Sequence, residues 1–251
     1  MNFELSEEQK MIQQNVERFV QDNYDLPKRV ELSSQDPGYS KDYWNSMAEL
    51  GWLGLPFNEE DGGFGGNQID TLVIMEQFGK GLVLEPFLAN VVLGGGAIQI
   101  GGSEELKNEM LSSLIEGSKQ LTLAYAEQQS RFDLEDVATS ARQEGDKYII
   151  NGQKSMVLNA ESSDHIVVVT RTNGGQVDEE GITLFLVDSD SKGLERNNFP
   201  TVDGLRASEI TFDNVEVNSE RMIGDLNKGF VILRTITNNA ILALCAEAVG
   251  A

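Results

Sequence analysis

Leu121–Asp133, LTLAYAEQQSRFD, and Gly145–Ala160, GDKYIINGQKSMVLNA, decide how this chain is read. Leu121, Leu123 and Tyr125 alternate with smaller or polar residues, which predicts a strand with one buried face. Glu144-Gly145-Asp146 supplies a turn. Tyr148, Ile149 and Ile150 form a β-rich run closed by Asn151-Gly152, a dipeptide that reads as a hairpin turn. A further strand is expected from Lys154 to Leu158. Two strand ends of one sheet are then expected side by side, a wall suited to a flat ligand.

Upstream the periodicity is helical. Ser6 followed by Gln9 reads as a capping box, with Glu7 and Glu8 at the positive end of the dipole. Met11, Ile12, Val16, Phe19 and Val20 follow at helical spacing. A second helix is expected from near Ser40 to Leu50, with Trp44, Met47 and Leu50 as its buried stripe and Gly51 as its terminator. Gly51–Pro56 and Asp61–Gly66 are glycine-rich. No strand precedes them and no Gly-Lys-Ser/Thr follows, so they read as tight turns rather than a phosphate loop. A third helix is expected over Asn67–Phe78, and a small-residue helix over Pro86–Ile100. Gly94-Gly95-Gly96 implies close packing or a break in the latter. Ser103-Glu104-Glu105-Leu106 starts another capped helix. Five or six helices thus precede the sheet.

Downstream, His165–Thr170, Gly181–Val187 and Ile210–Phe212 read as short strands punctuated by Asn173-Gly174-Gly175 and Asp188–Gly193. This spacing predicts an antiparallel β-sandwich or barrel. From Phe230 the pattern is helical again. Ile232, Leu233, Ile236, Ile241, Leu244, Cys245 and Val249 give an apolar face with little chain left to cover it. The expectation is a chain that is truncated or leans on a partner. The fold class is therefore α+β: an all-helical N-terminal domain (1–118), a middle β-domain (119–226) and the first helix of a C-terminal helical domain (227–251).

The 251 residues carry 41 acidic and 19 basic side chains, a formal charge of -22. That argues against nucleic acid and anionic membranes, which need clustered Lys and Arg. Cys245 is the lone cysteine, so no internal disulfide framework exists, and a reducing, cytoplasmic setting is expected. His165 is the lone histidine, which leaves no His-based metal site and no triad unless a partner chain contributes. Asp133 and Glu135 form an acidic loop without further ligands at metal spacing. MNFELSEEQK lacks the basic-then-apolar pattern of a leader. No apolar run is expected to approach the ~20 residues that span a bilayer.

The motifs resemble those of the acyl-CoA dehydrogenases, flavoenzymes that desaturate acyl-CoA thioesters. The family's T-E-P-G-x-G-S-D stands where this chain has Ala126–Asp133. Its W-I-T stands at Met156-Val157-Leu158, after the matching Asn151-Gly152-Gln153-Lys154. Gly204–Ser208, Phe212–Val217 and Met222-Ile223-Gly224 resemble its later β-domain phrases. The resemblance spans nearly the whole chain in order. It implies a flavin, FAD, lying near Tyr125, Ala126, Arg131, Phe132, Met156, Val157 and Leu158. Residue by residue, the flavin-side Thr becomes Ala126, the pyrophosphate Gly and Ser become Arg131 and Phe132, the stacking Trp becomes Met156 and the Thr near N5 becomes Leu158. The grip implied is weak, or shared with a partner chain.

The resemblance also implies a catalytic carboxylate, which one family branch carries where this chain has Asn239 or Ala240. No residue here is assigned as catalytic and none as a metal ligand. Glu247, about two turns later, reads as a solvated or interface carboxylate, Cys245 as a small core residue and Arg206 as a structural ion-pair partner. His165 reads as a surface or turn residue. The function implied is a subunit of an acyl-CoA dehydrogenase taking an acyl-CoA substrate, in a homo- or hetero-oligomer with a related chain. The alternatives are a non-catalytic partner completing another chain's site, and a flavin-dependent monooxygenase of the same fold.

Overall fold

The computed structural model describes residues 4–251, so the first three residues of the leader reading over MNFELSEEQK lie outside the described residues. Helix α1 (Glu7–Asn23) begins at the anticipated box: Gln9 N donates to Ser6 Oγ at 3.1 Å and Ser6 N to Gln9 Oε1 at 3.0 Å. Helix α2 (Leu26–Ser33) was not legible, because it buries no residue and so has no apolar stripe. Asp25 caps it by accepting from Lys28 N at 2.7 Å. Helix α3 (Lys41–Glu49) buries Trp44 and Met47. Leu50 does not extend that stripe. It lies just beyond the last helical residue and is exposed.

Helix α4 (Gln68–Gly81) starts at a second reciprocal box, Asn67 with Asp70. It ends at Leu82, whose φ of 51° puts a side-chain-bearing residue in the left-handed region and redirects the chain into Val83–Phe87. The small-residue helix is in two parts: a π-helix over Leu88–Gly95, then α5 (Gly96–Gly101). The glycines there serve close packing. A Cβ on Gly94 would lie 2.7 Å from Leu121 Cβ, which is closer than carbon atoms approach. Helix α6 (Glu104–Ile115) is capped by Ser103.

Eight strands follow: β1 (Leu121–Ala124), β2 (Ser140–Glu144), β3 (Lys147–Leu158), β4 (His165–Arg171), β5 (Ile182–Asp188), β6 (Leu194–Pro200), β7 (Arg206–Asn218) and β8 (Met222–Ile223). They form one sheet in the order β6-β7-β3-β2-β4-β5-β8, with β1 added against β4. The purely antiparallel expectation is corrected: β1 pairs β4 in parallel, Leu121 opposite His165, and β2 meets β4 in parallel at Ser140 and Arg171. The anticipated Gly145 turn joins β2 to β3 with φ +66°. Asn151-Gly152, however, is no hairpin. β3 runs straight through it, and the register against β7 shifts between Ile150 and Gly152. Strand β6 escaped notice because most of its residues are exposed.

The one-faced reading of β1 is also corrected, since all four of its residues are buried. Its sheet lies between two cores. Ile166, Val168, Phe185 and Val187 enter a β-core with Tyr148, Ile150, Phe212 and Val215. Val167, Val169, Leu184 and Leu186, on the other face, join the helical core with Leu111, Phe57 and Ile98.

Helix α7 (Gly229–Gly250) closes the helical layer, burying Ile232, Leu233, Ile236, Ala240 and Ala243. An 18-residue window within its 22 residues has a mean hydropathy of 1.5, so the helix is long and apolar enough to cross a membrane by length and composition alone, which corrects the expectation that no such run exists. Val231, Ile241, Leu242, Leu244 and Val249 are exposed. Cys245, taken as core, is exposed too. Helix α7 lies on α4 with backbone against backbone: a Cβ on Gly79 would meet Glu247 O at 2.0 Å, and one on Gly250 would meet Glu76 O at 1.9 Å.

Candidate functional site

A buried ion pair ties together the two strand ends that were expected to form a wall. Lys154 Nζ lies 2.7 Å from Glu127 Oε1, with side-chain exposures of 0% and 3%. Lys154 also donates to Tyr125 O at 3.1 Å, just beyond the end of β1. Glu127 accepts from Ala138 N at 2.9 Å, Thr139 N at 3.0 Å and Gln129 Nε2 at 2.8 Å. Burial drives the Lys154 pKa down to about 8 against the pull of Glu127. Burial raises that of Glu127, but Lys154 and the hydrogen-bond donors outweigh it and hold the carboxyl at about 2. Both groups are therefore charged at neutral pH.

A backbone bond completes the wall: Ser155 N donates to Ala126 O at 2.8 Å. The bulge that makes this possible lies between Lys154 and Val157 in the β3–β7 register, and Met156 carries it at φ 54°. The conformation is uncommon for a side-chain-bearing residue and persists because flanking bonds fix it. Thr122 Oγ1 donates to Leu158 O at 2.5 Å, holding the far end of β3 against β1.

The candidate residues therefore separate into two groups. Tyr125, Ala126, Met156, Val157 and Leu158 are brought together. Val157 is 1% exposed and its side chain lies in the β-core, so only its backbone borders the wall. Met156 is half exposed, and Tyr125, Ala126 and Leu158 are partly buried. Arg131 and Phe132 belong to the loop after Glu127. Arg131 has φ 50°, and Phe132 is 96% exposed. Burial raises the Tyr125 pKa, so its hydroxyl stays protonated at neutral pH.

Beside the wall opens a cleft of about 420 Å³. Met75 and Phe78 of α4, Leu82–Ala89, Leu158, and Leu244 and Glu247 of α7 line it. Glu85 is fixed in its side: the Tyr24 hydroxyl donates to one carboxylate oxygen and Ser40 N to the other at 3.1 Å. Burial raises the Glu85 pKa, with these bonds opposing. Arg206 bonds Ser33 O at 3.3 Å and Gln35 O at 3.1 Å and lies 3.6 Å from Asp36, the structural pairing anticipated for it. His165 starts β4 with Nδ1 2.8 Å from Asp188.

The donor chemistry of the wall is poor for a dinucleotide. Ala126, Met156, Val157 and Leu158 have no side-chain hydrogen-bond donor, and Phe132 is apolar. At these five positions the side-chain contacts to pyrophosphate and ring that the resemblance implies have no donor, and Arg131 and the Tyr125 hydroxyl are the donors that remain among the seven. Neither Asn239, partly buried, nor Ala240, 7% exposed, offers a carboxylate. The Glu127–Lys154 pair was missed as a unit. Its signal was a lysine two residues after Asn151-Gly152 inside an apolar strand.

Residues 6–118 match the model of the acyl-CoA dehydrogenase N-terminal domain, and residues 122–215 that of the acyl-CoA dehydrogenase middle domain. This chain belongs to the acyl-CoA dehydrogenase family. A probable acyl-CoA dehydrogenase, YngJ, of Bacillus subtilis is 30% identical over 255 residues, covering 100% of this chain and 67% of that protein. The short-chain specific acyl-CoA dehydrogenase of Clostridium acetobutylicum is 29% identical, covering 100% and 66%. Among solved structures, butyryl-CoA dehydrogenase from Megasphaera elsdenii superposes with a TM-score of 0.85 at 26% identity, covering 100% of this chain and 67% of that one. The chain thus spans about two-thirds of the length of these acyl-CoA dehydrogenase relatives.

Proposed function

We propose that this chain is a subunit of a flavin-dependent acyl-CoA dehydrogenase that desaturates an acyl-CoA thioester between its α and β carbons, with FAD held weakly or shared with a related chain. The observation that carries the reading is the apolar cleft bounded at one side by Leu158 of the wall and at the other by α4 and α7. Such a cleft takes an acyl tail by burying its methylenes, at about 0.8 kcal/mol for each. The wall offers the backbone of Tyr125, Ala126 and Met156–Leu158 to a flat group. The side chains there give FAD few donors, which suits a weak or shared hold. In this reading an N-terminal helical domain spans 1–118, a β-domain 119–226 and the start of a C-terminal helical domain 227–251, the seven wall and loop residues border the flavin, and the location is cytoplasmic.

A second reading has specific support: the donor-poor wall and the lack of a carboxylate at Asn239 or Ala240 suit a chain that only completes another subunit's site. Absorbance after gel filtration, alone and mixed with a related subunit, tests the first reading. Flavin is expected to be lost from the isolated chain and retained, with acyl-CoA turnover, in the mixture. Stoichiometric FAD retained by the isolated chain overturns the shared-cofactor reading. Leu158→Trp, which narrows the cleft, separates the two functions: turnover of the mixture falls if this chain's cleft binds substrate and persists if it does not.

A further inference from the structure

One amide in the cleft lining is held on every side but one. Asn159 follows Leu158 where the wall borders the cleft, and it is 6% exposed. Its backbone lies in the left-handed region at φ 55°. Asn159 N donates to Arg206 O at 2.8 Å, and its carbonyl accepts from Ser162 N at 3.2 Å and from Ser163 Oγ at 2.8 Å. Its Nδ2 donates to Gln120 Oε1 at 2.8 Å, and Gln120 Nε2 donates in turn to the Tyr39 hydroxyl at 2.8 Å. Gln120 and Tyr39 are each 7% exposed, so this enclosed chain of bonds fixes the plane of the Asn159 side chain. Among the described residues no donor reaches Asn159 Oδ1. The other polar side chains of the lining are placed differently. Glu85 is held by Tyr24 and Ser40. Arg206 Nε has no partner, but it is sealed from solvent, and Gly38 packs so close that a Cβ there would lie 2.8 Å from it. Glu247 is partly exposed and Asp203 exposed, so both reach water.

An unsubstituted hydrocarbon tail that fills the cleft strips water from the Asn159 amide and returns nothing. A hydroxyl on the tail serves that amide in either orientation, donating to its oxygen or accepting from its nitrogen. The methylenes of such a tail still meet Met75, Phe78 and Leu244. We propose that the cleft selects an acyl thioester whose tail bears a hydroxyl group, and that Asn159 is the specificity-determining residue that binds it. This inference rests on the acyl-thioester reading above. It adds a polar contact, held in place before the ligand arrives, that the apolar walls do not supply.

The test is calorimetric binding to the full chain at neutral pH. Hexanoyl-, octanoyl- and decanoyl-CoA are each paired with the ω-hydroxy thioester of equal length. At one length or more the hydroxy thioester is expected to bind about fivefold tighter. Asn159→Gly keeps the left-handed backbone and removes the amide, and it is expected to abolish that preference without weakening the alkyl thioesters. Asn159→Asp keeps an oxygen at the same place and is expected to retain the preference, which decides the role of Asn159 if the glycine variant does not fold. Equal or tighter binding of every alkyl partner to the unsubstituted chain overturns the inference and leaves the acyl-CoA reading standing. A preference that survives in Asn159→Gly, or is lost in Asn159→Asp, overturns the role of Asn159. Failure of all six thioesters to bind overturns the acyl-CoA reading and this inference with it.

Discussion

Lys154 is a charge enclosed by a sheet, tolerable only because Glu127 and Tyr125 O surround it. Glu127→Gln leaves the ammonium unmatched, and the loss of stability expected is about 3–5 kcal/mol, read as a lower urea midpoint. In the intact pair Glu127 contributes stability that is fully present above its unfolded value of 4.5 and is lost as pH falls towards about 2. Glu85 has the opposite sign. Its folded-state pKa is raised, so its contribution is present below 4.5 and is lost as pH rises towards the folded value. Glu85→Gln removes that slope, and the wild-type fall in urea midpoint as pH rises above 4.5 is expected to shrink in the variant. Both members of the buried pair stood in quoted motifs. Their contact was not legible, because 27 residues separate them and only the tertiary fold brings them together. Cys245 failed differently: helical spacing put it among apolar residues, but that side of α7 is exposed.

Among the elements, Asn151-Gly152 shows how a local signal yields to its neighbours. The pair favours a tight turn, yet β3 is held on both sides, by β2 and by β7, and runs on. Gly152 is needed for another reason. At φ +148° its missing Cβ would lie 2.6 Å from Thr139 Cα. Gly152→Ala is expected to lower the thermal midpoint, at a cost of about 1–3 kcal/mol, by forcing β3 away from Thr139. Helix starts were legible where a side chain closes the cap, as at Ser6, Ser40 and Ser103. The π-helix was legible only as a weakness: Gly94-Gly95-Gly96 implied close packing or a break, and the wider turn over Leu88–Gly95 left no mark in the sequence.

The whole molecule was the most legible scale. Helices, then sheet, then helix follow the change of hydrophobic period, and family motifs in the same order reinforced it. The cleft was not legible, because its lining comes from segments between residues 37 and 251 that only the tertiary fold gathers. A formal charge of -22 also belongs to this scale. Self-repulsion is strongest when unscreened, so raising salt from about 10 mM to about 150 mM is expected to raise the thermal midpoint by a few degrees. The contact of α7 on α4 has a last consequence. Because Gly79 and Gly250 bring the two main chains together, the gap between these helices has no side chain to act as a spacer. Breadth in the ligands accepted is then expected from the strip that follows α4, where Leu82 in its left-handed turn sets the path of the chain. Variants selected for bulkier tails should accumulate between residues 82 and 89 and leave the two glycines untouched.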